Sequence, residues 1–355
     1  MRRNPPGSRD QGATLSPPET EGGRRALVLR RLKRGLRFAL GVALLAWVLA
    51  RSDVVSSVRL LQGSWSLLLL MLVPIFGAAI EAKRLGVLYR ALDISLPFVD
   101  GYRIVAISTF FNFAVPGGTG GDVAKIYYMV SANRRQRVEA ATVVVIDRAV
   151  ALFAWLLLTL ALGGLNHRLV EAHRVLQLML GVAGLGVVAL LGLAYLSSSS
   201  IARESRLYGW IVERAPLHRF WARVADALYA YRDHRDAWVS ATLWSLVGHF
   251  ALVFLFLTVA RTLLPEADRL DVALLCFIGM LANALPITPG GLGVGEVAFD
   301  RLFRLVGQAG GAQLVLAWRI AMLPLGILGG LLYLRGKRPV GGEGAEARVE
   351  GQALQ

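Results

Sequence analysis

Phe110-Phe-Asn-Phe-Ala-Val-Pro-Gly-Gly-Thr-Gly-Gly-Asp-Val-Ala-Lys-Ile-Tyr-Tyr-Met129 is the stretch whose reading decides the fold. It follows an apolar segment that begins near Ile104, then breaks it with Pro116, with Gly117, Gly118, Gly120 and Gly121, and with the ionisable pair Asp122 and Lys125. In hydrocarbon every freed N–H and C=O must find a partner, so irregular backbone survives there only where protein covers it or it lines a cavity. The break is therefore expected to face inward, away from lipid. A second one, Asn283-Ala-Leu-Pro-Ile-Thr-Pro-Gly-Gly-Leu-Gly-Val-Gly-Glu296, again follows an apolar run and again joins Pro-Gly-Gly to an acid. Interrupted hydrophobic segments in both halves of a membrane chain point to a transporter's binding site.

Working outward, the chain has 355 residues, 55% of them hydrophobic, and one cysteine, with a mean hydropathy of +0.54. Its apolar runs repeatedly approach the roughly 20 residues a span needs. The expected fold class is all-α: a polytopic membrane helical bundle of about six full spans plus two re-entrant broken-helix hairpins. Residues 1–25 are polar, carry Pro5, Pro6, Pro17 and Pro18, and lack a signal peptide's apolar core, so they are expected to be a disordered cytoplasmic tail. Residues 26–335 form the transmembrane domain, and residues 336–355 a second disordered tail. Cys276 has no partner for a disulfide or a thiolate metal site. No metal or cofactor is expected, and neither break matches a nucleotide-binding loop.

The net charge of +15 raises nucleic acid as a partner. Its distribution argues against that, because Arg24, Arg25, Arg30, Arg31, Lys33, Arg34 and Arg37 stand directly before the first apolar segment. There the positive-inside rule and anionic headgroups account for them. The expected localisation is the cell membrane, with both termini cytoplasmic.

The first span is read at Leu36 to Ala50 and the second at Trp65 to Ala82, ending in Glu81, Lys83 and Arg84. A polar inside stretch from Leu85 to Arg103 follows. Arg134, Arg135 and Arg137 after the first break return the chain to the side it came from, which makes that element a hairpin. Further spans are expected over Val138 to Gly163, Leu176 to Leu196, Ala237 to Ala260 and Ala312 to Leu334. The connector 197–236 mixes arginines with Tyr208, Trp210, Phe220, Trp221, Tyr229 and Tyr231. It reads either as an amphipathic segment on the headgroups or as a solvated link. With both termini inside, the second broken element, Leu270 to about Arg304, enters from the outer side. The two hairpins then approach from opposite faces, and an inverted repeat stands as a hypothesis, since the shared motif is short.

The candidate site residues are Asn112, Gly117, Gly118, Gly120, Gly121, Asp122, Lys125, Asp147, Arg148, Pro289, Gly290, Gly291, Gly293, Glu296 and Arg319. Backbone N–H groups freed by the glycines at a helix start could cradle a phosphate, with Lys125 one turn on. The alternative is that these glycines only let helix ends cross closely. Asp147 and Arg148 stand inside one apolar span and Arg319 inside the last, where charges usually pair or face water. Arg148 and Arg319 are the candidates for an anionic headgroup, and Asp122, Asp147 and Glu296 their counter-ions or carriers of a coupling proton. A purely structural ion-pair role, with Asp147 and Arg148 neutralising locally against neighbouring helices, remains open. Glu81 reads as weaker, because at a span's end it can snorkel. His249 reads as a helix-to-helix hydrogen bond. Asn112 and Asn283 could satisfy broken backbone or touch substrate.

The stretch Asn112-x3-Pro-Gly-Gly-x-Gly-Gly-Asp122-x2-Lys125, Asp147-Arg148, Pro286-x2-Pro-Gly-Gly-Leu-Gly-x2-Glu296 and Arg319 together resemble the lysylphosphatidylglycerol synthase transmembrane region, the flippase-like domain family. The resemblance covers roughly Arg34 to Leu334, without the soluble aminoacyl transferase domain of the bifunctional synthase. Lys125 stands where the family usually has Arg, and Asp147 where it usually has Glu. Charge is kept, although lysine cannot make arginine's bidentate phosphate contact. The resemblance implies movement of a lipid between leaflets, the ligand being an anionic phospholipid or a polyprenyl-phosphate-type lipid. No catalytic constellation is evident. The competing readings are a membrane partner for a separate synthase or glycosyltransferase, and a membrane-embedded lipid-modifying enzyme.

Overall fold

The computed structural model describes residues 66–114, 120–198, 229, 231–283 and 293–336. The expected first span at 36–50, most of the connector 197–236, both tails, and Gly117, Gly118, Pro289, Gly290 and Gly291 lie outside the described residues. Within the described residues the chain is helical and has no strand. The helices are α1 (Ser66–Arg90), α2 (Phe98–Ala114), α3 (Gly120–Ala132), α4 (Arg137–Leu165), α5 (His167–Ala172), α6 (Arg174–Ser198), α7 (Arg235–Leu263), α8 (Arg269–Asn283), α9 (Val294–Arg304) and α10 (Gly311–Arg335).

Among them α4, Arg174–Tyr195 of α6, α7 and α10 are long and apolar enough to cross a membrane. The 29 residues of α4 and of α7 give about 43 Å each at about 1.5 Å per residue, more than the ~30 Å hydrocarbon core. Each interrupted segment holds two helices, α2 with α3 and α8 with α9, and residues 115–119 and 284–292 between them lie outside the described residues.

One boundary differs from expectation. The helix that was to end near Ala82 continues to Arg90, and Leu85, Leu88 and Tyr89 are buried instead of lying in a polar inside stretch. No proline or glycine cluster stops α1 before Pro97, so charge alone does not end it. Its last turns are tied down by side chains: Tyr89 donates to the Ala140 carbonyl at 2.8 Å, and Tyr231 donates to the Leu88 carbonyl at 2.6 Å. Between the expected spans that end at Gly163 and start at Leu176, His167, Arg168 and Glu171 lie on the short helix α5.

The packing is organised in two corresponding units. α1 touches α2 and α4, while α7 touches α8 and α10; α3 lies against α2 and α4, while α9 lies against α8 and α10. Across the units α10 meets α1 and α2, and α4 meets α7 and α8. The corresponding helices α1 and α7 pack directly against each other. Arg84 meets Ser245 and Ile80 faces Gly248, and Leu88 meets Tyr231 just before α7, so the two are antiparallel. Helix α6 touches α4 and α5 and exposes Leu178, Val182, Leu185 and Val188, as a span bordered by lipid does.

The buried apolar residues form two clusters, each drawing on helices of both units. One gathers Phe256, Phe277, Phe299 and Phe303 with parts of α4 and α10. The other gathers α1, α2 and the first half of α4 around Leu88, Tyr89, Ile104 and Val143. Helix α4 runs through both, and Trp155 fastens it to α8 by donating to the Phe277 carbonyl at 3.2 Å while stacking on that ring.

Candidate functional site

The first polar cluster is assembled by α1, α3, α4 and α7. Residues three apart on a helix share a face, so Glu81 and Arg84 of α1 point together toward α3 and α4. Arg84 grips Asp147 with two hydrogen bonds, Nε to Oδ1 at 2.6 Å and Nη2 to Oδ2 at 3.0 Å. Its Nη1 donates to the Ser245 hydroxyl at 3.2 Å. The Asp147 side chain is wholly buried. From α3, Lys125 Nζ donates to Glu81 in a short charge-assisted hydrogen bond and stands 3.7 Å from Asp147 Oδ2. Such charges are tolerated in a low-dielectric interior only when paired and hydrogen-bonded, as these are.

Successive residues of an α-helix point about 100° apart, which splits Asp147 from Arg148. Asp147 turns inward to Arg84 and Lys125. Arg148 turns outward, and its Nε donates to both carboxylate oxygens of Asp122 at 2.7 and 2.8 Å. Asp147 and Arg148 are thus each paired against neighbouring helices.

The second cluster lies where α8, α9 and α10 meet. Arg319 Nη2 donates to Asn283 Oδ1 at 2.8 Å and approaches Glu296 Oε2 at 3.4 Å. The same Glu296 oxygen accepts from the Gly293 N–H at 2.7 Å, closing the first turn of α9. Arg319 therefore has Glu296 as its expected counter-ion, and Arg148 has Asp122. Asp147 instead answers Arg84 and Lys125.

In both helix pairs an asparagine late in the first helix is set against a glycine early in the second. Asn112 Oδ1 accepts from the Gly121 N–H at 2.8 Å, and a Cβ at Gly121 would lie 2.6 Å from that oxygen and from the Ser108 carbonyl. In the other pair, a Cβ at Gly295 would collide with Asn283 Oδ1 and come within 3.1 Å of the Arg319 guanidinium. These glycines do allow close crossing, and the crossing also sets the polar groups. Asn112 satisfies backbone at the break, whereas Asn283 holds an arginine. Gly120 is buried at the start of α3. His249 Nε2 meets the Ala151 carbonyl at 3.0 Å, a bond between α7 and α4.

Sequence reasoning missed Arg84 and Ser245 and undervalued Glu81. The available signal was Glu81-x2-Arg84 at helical spacing in an apolar run with no stop before Pro97, which places both inside a continuing helix and takes away the freedom to snorkel.

A bundle of long apolar helices with buried ion pairs between them defines a polytopic helical membrane protein. Residues 35–330 match the family model for the lysylphosphatidylglycerol synthase TM region, and the chain belongs to that family. No curated protein and no solved structure matches it.

Proposed function

We propose that this protein is a lipid transporter of the cell membrane that passes an anionic, phosphate-bearing headgroup between leaflets while the tails stay in lipid. The observation that carries the reading is the pairing of two helix–break–helix elements, each with its second helix set on an asparagine and each holding a basic residue beside an acid: Lys125 with Glu81, and Arg319 with Glu296. The antiparallel run of α1 against α7 supports an inverted repeat whose hairpins enter from opposite faces.

Internal charge balance supplies the mechanism. Glu81, Asp122 and Asp147 answer Arg84, Lys125 and Arg148, so the first cluster is neutral without substrate. A phosphate entering it competes with a carboxylate for the same cation, and the displaced carboxylate stays beside that cation, ready to take it back. That favours a headgroup that arrives and leaves again. Charge exchange needs no covalent step, and the protein acts as a transporter, not as an enzyme.

The test is leaflet exchange of fluorescent phosphatidylglycerol in liposomes containing the purified protein, read by dithionite quenching. Exchange well above that of protein-free vesicles, lowered at least tenfold by Lys125→Gln or Arg319→Gln, is expected. Exchange no faster than in empty vesicles, with correctly folded protein present, would refute the proposal.

A further inference from the structure

Arg148 is placed unlike the other cations of the two clusters, Arg84, Lys125 and Arg319, whose side chains are all less than a tenth exposed. Val145, Arg148 and Leu152 fall on one face of α4, and Val145 and Leu152 are 60% and 43% exposed. On α3, Val123 and Tyr127 flank Asp122 and are 64% and 63% exposed. In a helix able to cross a membrane, such a face meets acyl chains. The side chains of Arg148 and Asp122 are themselves 50% and 24% exposed there, while one residue earlier on the same helix the Arg84–Asp147 pair is shut in at 9% and 0%.

Depth makes this placement costly. Arg148 lies eleven residues beyond the start of α4 at Arg137, or about 16 Å along its axis. A ~43 Å helix centred on a ~30 Å core leaves about 6 Å outside at each end, which puts Arg148 about 10 Å inside hydrocarbon. Its Nε is held at that depth by Asp122 and does not reach back to the interface. Among the described residues only Nε of this guanidinium makes a hydrogen bond. Its terminal nitrogens are then a planar donor pair matched to phosphate oxygens. Lys125, three residues after Asp122 on α3, leads from this outer pair to the buried cluster.

We propose that Asp122 and Arg148 form a lateral port between α3 and α4, where the phosphate of a membrane lipid enters from the bilayer and takes the place of Asp122 on Arg148. Asp122 is the resident stand-in for the headgroup, balancing the charge of Arg148 until a lipid arrives. The port deepens the transport reading and rests on it for what happens to the headgroup afterwards; binding at the port is tested by itself.

The experiment places a benzoylphenylalanine at Val145 of the full chain in nanodiscs and compares photolabelling by tracer phosphatidylglycerol and tracer diacylglycerol with identical acyl chains. Phosphatidylglycerol should label at least fivefold better, and Asp122→Asn should raise that preference. The double variant Asp122→Asn with Arg148→Gln leaves no unpaired charge, and should label equally with both lipids while keeping the native elution profile. Equal labelling of the unsubstituted pair, or a preference that survives the double variant, overturns the port. Competition by millimolar inorganic phosphate also overturns it, because the site then takes soluble phosphate. Selective labelling without leaflet exchange supports the port and counts against transport, whereas full exchange with equal labelling overturns the port alone.

Discussion

Asp147→Asn is the substitution that tests the buried cluster most directly. The change keeps side-chain size and removes one charge from a carboxylate that is wholly buried and held by two hydrogen bonds from Arg84. Arg84 and Lys125 would then face only Glu81, which already bonds Lys125. Removing one partner of a buried pair costs about 3–5 kcal/mol, because the remaining charge stays desolvated. For a chain of a few hundred residues this corresponds to a fall in Tm of about ten degrees. Thermal unfolding in one detergent, followed by size-exclusion of the heated samples, reads the shift. The partner variant Arg84→Met should be comparably unstable, and the double variant should recover much of the loss, since no uncompensated charge remains. An Asp147→Asn protein melting within about one degree of the native chain, or a double variant showing the full sum of the single losses, would refute the reasoning.

The asparagine–glycine contacts predict that Gly295→Ala and Gly121→Ala each lower stability by about 1–3 kcal/mol through overpacking against Asn283 and Asn112, whereas Gly181→Ala, which meets open space inside α6, does not lower Tm. The same thermal assay checks all three. The inverted arrangement predicts that cysteines replacing Arg134 and Gln308, which occupy corresponding links after α3 and after α9, react with membrane-impermeant reagents from opposite sides of the membrane; labelling from one side would exclude it.

The sequence by itself determined that this is a helical membrane protein with two broken segments, because hydrocarbon leaves little choice once long apolar runs and a Pro-Gly-Gly interruption are written into the chain. It also singled out Asp122, Lys125, Asp147, Arg148, Glu296 and Arg319, since an ionisable residue deep in an apolar run is costly enough to stand out. Partnership was decided only by the tertiary structure. Asp147 and Arg148 are neighbours in sequence and part company because a helix turns them about 100° from each other. Arg84 reaches Asp147 across sixty-three residues only because α1 runs on to Arg90 and packs against α4. No local pattern records which of two faces of α4 will be covered by protein, and that choice, made by the packing of α1, α3 and α7, separates a buried ion pair from one open to lipid.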